Sequence, residues 1–547
     1  MAVFVNQLGY IPGCEKIAVS TKPCNFQLIR VSDQKSVFDG TTGEKIYDES
    51  TREDIYHIDF TPVDEEGEYY ILAGNSNKSH NFRISEHVYK DLIVDVSRAL
   101  YYQRCGIELD EAHAGIYSRP GCHKDEAITL EDFLKKNPDP KKYDMTGGWH
   151  DAGDYGRYST AGAVAVAHIL YAFDMFPESF GYGMNIPESG NGIPDILNEC
   201  AYELRWLLKM QSKDGGVYHK LTGWKHAEFI MPEDDHDQFI IYPVSSLATA
   251  DFVAIMALAS RVYRPFMPEF AEEMFQAAIK SSRWLDTHPY YGFTNPEGSN
   301  TGEYGDESDL DERLWASAEM LRADPNNREK YLKILASLSK ETTTKADFGW
   351  EDVSGFATIS VLSDPKHSSG VIESSFKNDL QRAAFKFADN VKASGYQLGL
   401  KDDDFVWGSN MVVANRAILF IMAYLVLEGP SKDMFKRATL SHLHYLLGRN
   451  PLDVSYITGA GENAYLHPHS RVCAADGIDK PIPGFVSGGP FKTPYDEAAI
   501  AAIPKGTPPI KCYLDDEGSY STNEITIYWN SPLVFILGFI HSNVFRA

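Results

Sequence analysis

Two stretches far apart in the chain carry carboxyl groups in settings suited to acid–base chemistry. Gly147-Gly148-Trp149-His150-Asp151-Ala152-Gly153-Asp154-Tyr155 places two aspartates three positions apart in a glycine-rich loop among aromatics. Asn523-Glu524-Ile525-Thr526-Ile527-Tyr528-Trp529-Asn530-Ser531 places a glutamate on a tyrosine-rich approach to an apolar helix. Cleaving a glycosidic bond takes one carboxyl group as proton donor and another to activate water or attack the sugar. These stretches supply both. Glycine in the first stretch lets charged groups converge where side chains would crowd them. A blander reading has Asp151 and Asp154 capping a helix that starts near Ser159.

Other residues suit metals and ligands. Cys105, Cys122, His123 and His150 offer two thiolates and two imidazoles, the donor set of a closed tetrahedral zinc site, though not at zinc-finger spacing. Two buried thiols and two ordinary histidines are the alternative. Gly305–Glu312 concentrates carboxylates ahead of a helix, which suits calcium or, more simply, the positive end of the helix dipole. His469 and Arg471 stand two apart on a segment expected to be extended, so both can face one side. Trp407 stands at a helix start, where a core tryptophan is the plain reading.

These groups sit in a chain of 547 residues, 43% hydrophobic, long enough for two or more units. Its formal charge is −26, from 51 basic and 77 acidic residues, with no dense basic cluster. Nucleic acid and anionic membranes are therefore poor partners. An aromatic share of 12%, with 31 tyrosines, suits stacking on sugars, although most such rings belong in a core. No apolar run reads as a membrane span. The amino terminus lacks signal-peptide features, so a cytoplasmic location is expected, or a secreted one if a leader was trimmed. The seven scattered cysteines favour a reducing compartment over a disulfide framework.

Residues 1–86 read as a small β-sandwich, with short alternating runs such as Lys16–Ser20 and Asn25–Ile29 between turn residues. From about residue 88 the period becomes helical. Segments near 88–104, 159–176, 193–211, 244–263, 268–286, 310–321, 373–393, 410–428, 431–447 and 530–545 carry apolar faces. About a dozen helices joined by long loops, with little strand pattern, fit an all-α barrel following an all-β domain. The loop from Cys473 to Lys511 is expected to line the product side of any cleft.

The chain resembles glycoside hydrolase family 9, in the branch with an N-terminal immunoglobulin-like domain. Val5-Asn6-Gln7-Leu8-Gly9-Tyr10 looks like the opening of that domain. Gly147–Tyr155, Asn191-Gly192-Ile193-Pro194-Asp195 and Met210-Gln211 through Gly215-Gly216-Val217-Tyr218 fit the catalytic part. Ser455-Tyr456-Ile457-Thr458 through Pro468-His469-Ser470-Arg471 meets the family's His/Arg signature. Tyr513, Asp515, Tyr520, Glu524, Thr526, Asn530 and Ser531 meet its glutamate signature.

The resemblance implies an immunoglobulin-like sandwich over 1–86 and an (α/α)6 barrel over 87–547. It makes Asp154 the general base, Asp151 a second holder of the attacking water, and Glu524 the general acid. His469, Arg471, Trp407 and Tyr520 become sugar ligands. Cys105, Cys122, His123 and His150 become a structural zinc site, and Asp306, Asp311 and Glu312, with Glu351 or Asp352, a calcium site. No organic cofactor is expected, and oligomeric state stays open. The implied reaction is inverting hydrolysis of β-1,4-glucosidic bonds in soluble cellulose chains or cello-oligosaccharides. An exo-β-D-glucosaminidase acting on chitosan oligosaccharides is the alternative within the fold. A non-catalytic carbohydrate-binding protein, or an α/α-barrel lyase or epimerase, stands further off. Burial among Tyr520, Tyr528 and Trp529 would keep Glu524 protonated, whereas both aspartates should be held ionised.

Overall fold

The computed structural model describes residues 1–342, 345–364 and 370–546. They form two compact units, each assembled from three chain segments. One holds Met1–Val96, Arg382–His469 and Ile478–Ile525; the other holds Ser97–Gln381, Ser470–Gly477 and Thr526–Ala547.

The first unit begins all-β, as the alternation demands. A four-stranded sheet runs in the order Val3–Phe4, Ile17–Ser20, Glu53–Asp59, Lys45–Asp48. A second sheet is ordered Gly9–Tyr10, Phe82–Ile84, Gly67–Ala73, Asn25–Arg30, Ser36–Thr41, with Asn77–Lys78 beside Gly67–Ala73. Tyr69, Ile71 and Ala73 alternate into the core, facing Phe26, Leu28, Ile58 and Phe82. Period-two burial of this kind fixes register, because a one-residue slip would turn the apolar set outward.

Within the same unit this β-domain is bonded to helical chain. Gln7 N donates to Leu447 O at 2.9 Å and Gln7 Oε1 accepts from Asn463 N at 2.7 Å. A Cβ on Gly448 or Gly461 would lie 2.5 or 2.7 Å from the Gln7 side chain, and both glycines hold positive φ. The fully buried guanidinium of Arg449 donates to Ile17 O, Gln397 Oε1 and Tyr396 O. The opening motif Val5–Tyr10 is thus the docking edge of the β-domain. Helices Ser409–Val426 and Lys432–Leu446 pack against each other here.

In the second unit, Ser159–Met175, Ser246–Tyr263 and Ile527–His541 are buried along nearly their whole length. Such helices are apolar all round and carry little amphipathic signal. Asp195–Lys209 packs on the first of them and Pro268–Thr287 on the second, each with one polar side. Leu310–Ala323 packs against Arg328–Glu341 and Ser354–Ser363, two helices that the periodicity did not single out. The unit also contains more strand than expected. Ile128–Thr129, Ile240–Ile241, Lys220–Thr222 and Arg157–Tyr158 form a four-stranded sheet.

The absence of span-length apolar runs needs amending. Ser246–Tyr263 and Ser409–Val426 are long and apolar enough to cross a membrane, but 94% and 67% of them is buried inside the protein.

One half-buried link in the first unit titrates. His80 donates to Asp453 at 3.1 Å and Glu462 at 2.9 Å, and these hydrogen bonds, Asp453 first, raise its pKa to about 9. A pKa raised above the unfolded value near 6.5 stabilises fully below that value and decays as pH climbs to about 9. Discounted for solvent screening, the link contributes up to about 1 kcal/mol. His80→Gln should lower the urea midpoint at pH 6 and leave it unchanged at pH 9.5, measured by circular dichroism.

Candidate active site

Gly147 and Gly148, both at positive φ, turn the chain into the aspartate loop of the second unit. A Cβ on Gly148 would meet the Trp206 ring at 2.7 Å, so only glycine fits. The loop is fixed through its backbone. Gln103 O accepts from His150 N at 2.7 Å, and Gln103 Nε2 donates to Ala152 O at 2.9 Å. Asp151 O accepts from Ile527 N at 2.8 Å, and Ala152 pairs with Thr526. Beneath it, Glu203 accepts from Trp149 N at 2.6 Å and Glu199 from Trp149 Nε1 at 2.9 Å.

The capping alternative fails. The residue before helix Ser159–Met175 is Tyr158, and no side chain caps it. The two carboxyls face different surroundings instead. Asp154, 6% exposed, accepts from Gly156 N at 3.0 Å and from His226 Nδ1 at 3.1 Å. Burial alone would raise its pKa, but His226, Arg471 and the Gly156 N–H together bring it well below the usual carboxylate range. Asp151, 2% exposed, accepts from the Tyr304 hydroxyl at 2.6 Å through Oδ2. Burial pushes its pKa well up, and the neighbouring Asp154 charge adds to this. The expectation that both aspartates are ionised therefore holds for Asp154 alone. Two carboxylates in one buried loop cannot both be charged cheaply, and the one with cationic and N–H partners keeps the charge.

Arg471 was expected on an extended segment beside His469. The backbone is extended at Ser470, but Arg471 opens the short helix Arg471–Ala475. Its N and Nη1 donate to Gly153 O at 2.9 and 3.1 Å, its Nε donates to Ala227 O at 2.7 Å, and its guanidinium lies over Phe229. It braces the aspartate loop.

The first unit carries Glu524 itself, with Asn523 and Ile525 on either side. His469 pairs in parallel with Glu524, and His469 N donates to Asn523 O at 2.9 Å. Asn523 is the lock: it accepts from Tyr513 OH at 2.6 Å and Ser487 Oγ at 3.1 Å and donates to Asp515. Asp515 in turn accepts from Leu466 N and His467 N, each at 2.8 Å. Glu524 is half-buried, near the phenols of Tyr495 and Tyr520, whose pKa values burial raises first and the nearby carboxyls raise further. Trp407 is no core residue: it is 41% exposed, with ring centroids 5.7 Å from Tyr495 and 6.0 Å from Tyr520. Tyr495, itself 47% exposed, lies on the Cys473–Lys511 loop.

Both metal candidates lie in the second unit. The donor atoms of Cys105, Cys122, His123 and His150 all lie within 4.8 Å of one another. Burial holds the His150 imidazole at about 4, neutral and able to donate a lone pair. Asp235 accepts from His123 Nε2 at 3.2 Å, behind the cluster. Asp306, Asp311 and Glu312 also converge within 4.8 Å. Burial and the Asp352 charge raise Asp311 to about 6, while buried Asp251 presents two unpartnered oxygens to the Asp311 and Asp306 charges.

Sequence reasoning missed His226, Tyr304, Tyr495, Asp235 and Asp251. Only Tyr495 carried a signal, as an aromatic on a loop already singled out.

Comparison with known proteins identifies the class. The profile of Glycosyl hydrolase family 9 matches residues 89–537, and that of the cellulase N-terminal ig-like domain matches residues 1–78. The chain belongs to glycosyl hydrolase family 9. It is 39% identical to a cellodextrinase of Butyrivibrio fibrisolvens across 98% of both chains. It is 35% identical to endoglucanase D of Acetivibrio thermocellus, over 98% of this chain and 83% of that one. A thermostable endoglucanase from Alicyclobacillus acidocaldarius superposes with a TM-score of 0.91 at 34% identity, covering 99% of both chains. A zinc-binding triple mutant of a family 9 endoglucanase gives 0.90 at 31%, covering 97% of this chain and all of that one.

Because His226 holds down the pKa of Asp154, His226→Ala should move the acidic limb of kcat/KM to higher pH. A pH–rate profile checks this, and an unmoved limb would remove His226 from that role.

Proposed function

We propose that this protein is an inverting hydrolase of β-1,4-glucosidic bonds in soluble cellulose chains or cello-oligosaccharides. One observation carries the reading: Asp154 is buried yet held by His226 Nδ1 and the Gly156 N–H, partners that favour the ionised form a base needs. Asp154 takes a proton from water, Asp151 holds that water, and Glu524 protonates the departing sugar oxygen. Inversion requires the two acting carboxyls about 6.5–9.5 Å apart, with water between. His469 and Arg471 contact sugar hydroxyls, while Trp407 and Tyr520 offer ring faces. The names of the relatives, cellodextrinase and endoglucanase, support glucan as substrate. So does a structural relative solved with a cellobiose-like isofagomine. The glucosaminidase alternative finds no such support.

The fold reading belongs to the proposal: an immunoglobulin-like domain to residue 86 and an (α/α)6 barrel beyond. Fully buried helices flanked by amphipathic ones support the barrel. The thiol–imidazole cluster is assigned a structural zinc. Zinc bonds of about 2.3 Å to sulfur and 2.0–2.1 Å to nitrogen imply tetrahedral edges of about 3.3–3.8 Å. The cluster shows 3.3 Å between the imidazole nitrogens and 3.5 and 3.8 Å between sulfur and nitrogen. Four protein donors leave no open position, so the ion would brace the chain around His150 rather than act on substrate. Asp306, Asp311, Glu312 and Asp352 are assigned calcium, whose charge would relieve the buried carboxylates and Asp251.

Glu524→Gln should slow hydrolysis of cellopentaose about a thousand-fold, and NMR of the wild-type reaction should show α-anomeric products first. Wild-type rates in the variant, or β-anomers first, would refute the assignment. Metal analysis should find zinc bound to the purified protein. The Cys105→Ser/Cys122→Ser variant should lose it and melt several degrees lower by calorimetry.

A further inference from the structure

Lys220 is an unusual residue to find at 0% exposure. It lies on strand Lys220–Thr222, paired with Arg157–Tyr158 just beyond the aspartate loop. Its ammonium donates to Asn295 Oδ1 at 2.6 Å, Thr301 Oγ1 at 2.9 Å and Gly302 O at 2.7 Å. Its three N–H donors meet these three acceptors, with Thr301 O a longer fourth at 3.5 Å, and none of the four is a carboxylate. Burial pulls the lysine down to about 7, with the Asp154 and Glu303 charges working the other way. A buried ammonium without a paired counter-ion is costly, and an apolar chain of similar length would avoid that cost. Something other than packing keeps it there.

What it holds is a short, tightly bent segment. Asn295 Nδ2 donates to Thr301 O at 2.7 Å, closing the segment on itself. The preceding residue, His219, grips the same segment. His219 Nε2 donates to Glu303 O at 2.8 Å, and its Nδ1 accepts from Ser245 Oγ at 2.8 Å. The next residue is Tyr304, at a φ of 50° in the left-handed region. A bulky residue adopts that conformation only where its surroundings impose it. Tyr304 is the residue whose hydroxyl donates to Asp151. Its ring sits between Tyr158, at 4.7 Å, and Trp350, at 5.0 Å.

We propose that Lys220 is a positioning residue for hydrolysis: by clamping Thr301 and Gly302 it imposes the Tyr304 backbone and aims the phenol at Asp151. Lys220 acts through Tyr304, and the link runs from ammonium to Gly302 carbonyl, to Tyr304 hydroxyl, to Asp151 Oδ2. This rests on the hydrolase reading given above.

A double-mutant cycle on cellopentaose tests it, with Lys220→Met, Tyr304→Phe and their combination, and Glu524→Gln run alongside. Lys220→Met should lower kcat tenfold or more while KM stays within twofold. The double variant should be no slower than Tyr304→Phe alone, because the clamp then has nothing to aim. Independent, multiplying losses, or an unchanged kcat in folded Lys220→Met, would overturn the proposal. Where Lys220→Met does not yield folded protein by circular dichroism, Thr301→Val, which deletes one acceptor, enters the same cycle. Thr301→Ser, which keeps the hydroxyl, should restore kcat; equal losses in both would also overturn it. An inactive Glu524→Gln with a normal Lys220→Met sinks this inference alone, whereas a fully active Glu524→Gln sinks the hydrolase reading.

Discussion

A charged carboxylate that is almost wholly buried sets the terms for the second unit. Stripped of water, Asp154 would be expected to take up a proton. It stays ionised because His226, the Gly156 N–H and the field of Arg471 replace its hydration. A partner in this role must itself be fixed. Arg471 is tied to the Gly153 and Ala227 carbonyls, so the residue that polarises the loop also closes it. Asp151, denied such partners, moves the other way, toward the neutral form. One loop thereby presents two chemically distinct carboxyls three residues apart. A neutral carboxyl can donate a hydrogen bond, and an ionised one can only accept. A water bound between the two would therefore have a defined orientation.

The glutamate stretch is held on a different principle. Its signature residues act mostly on backbone. Asp515 takes the Leu466 and His467 amides, and Asn523 gathers Tyr513, Ser487 and Asp515 into one network. Buried polar networks of this sort specify a unique arrangement only when every member is satisfied. The result sets His469 beside Glu524 in a bridge between two otherwise irregular segments. Asp496 does the same one turn earlier, accepting from Ser519 Oγ and Ser521 N.

Much of this was legible because chemistry and period leave marks in sequence. Alternation gave the β-domain its strands, and amphipathic faces gave Asp195–Lys209 and Pro268–Thr287 to within a few residues. Ser354–Ser363 was not legible, because it is short, partly β-branched and buried on all sides, which erases the helical period. Arg328–Glu341 buries Tyr331, Leu335 and Ser339 at helical spacing, so its signal was present and passed over. At the candidate site, residues that share a motif could be singled out as candidates from sequence: Asp151, Asp154, Glu524, His469. Those joined only by folding could not. His226 lies 72 residues from Asp154, and Tyr304 lies 153 from Asp151. The extended reading of Arg471 failed because a cap at Ser470 starts a helix there.

The thiol–imidazole cluster and the aspartate loop share more than proximity in sequence. His150 belongs to the cluster, and its N–H is bonded to Gln103, which also holds Ala152. Asp235 supports His123 from the loop that carries His226 to Asp154. Tyr155 donates to Ile230 O on that same loop. Both carriers of the Asp154 environment, the 147–157 turn and the 226–235 segment, therefore meet at one set of four donors. An ion there would do more than hold chain ends together, because any loosening of the cluster would free His226 and the aspartates at once. A protonation pattern that depends on ångström-scale placement of cationic neighbours needs such a rigid origin, since Coulomb terms in a low dielectric change steeply with distance. A closed four-donor centre at this position would supply that rigidity to the ionised base beside it.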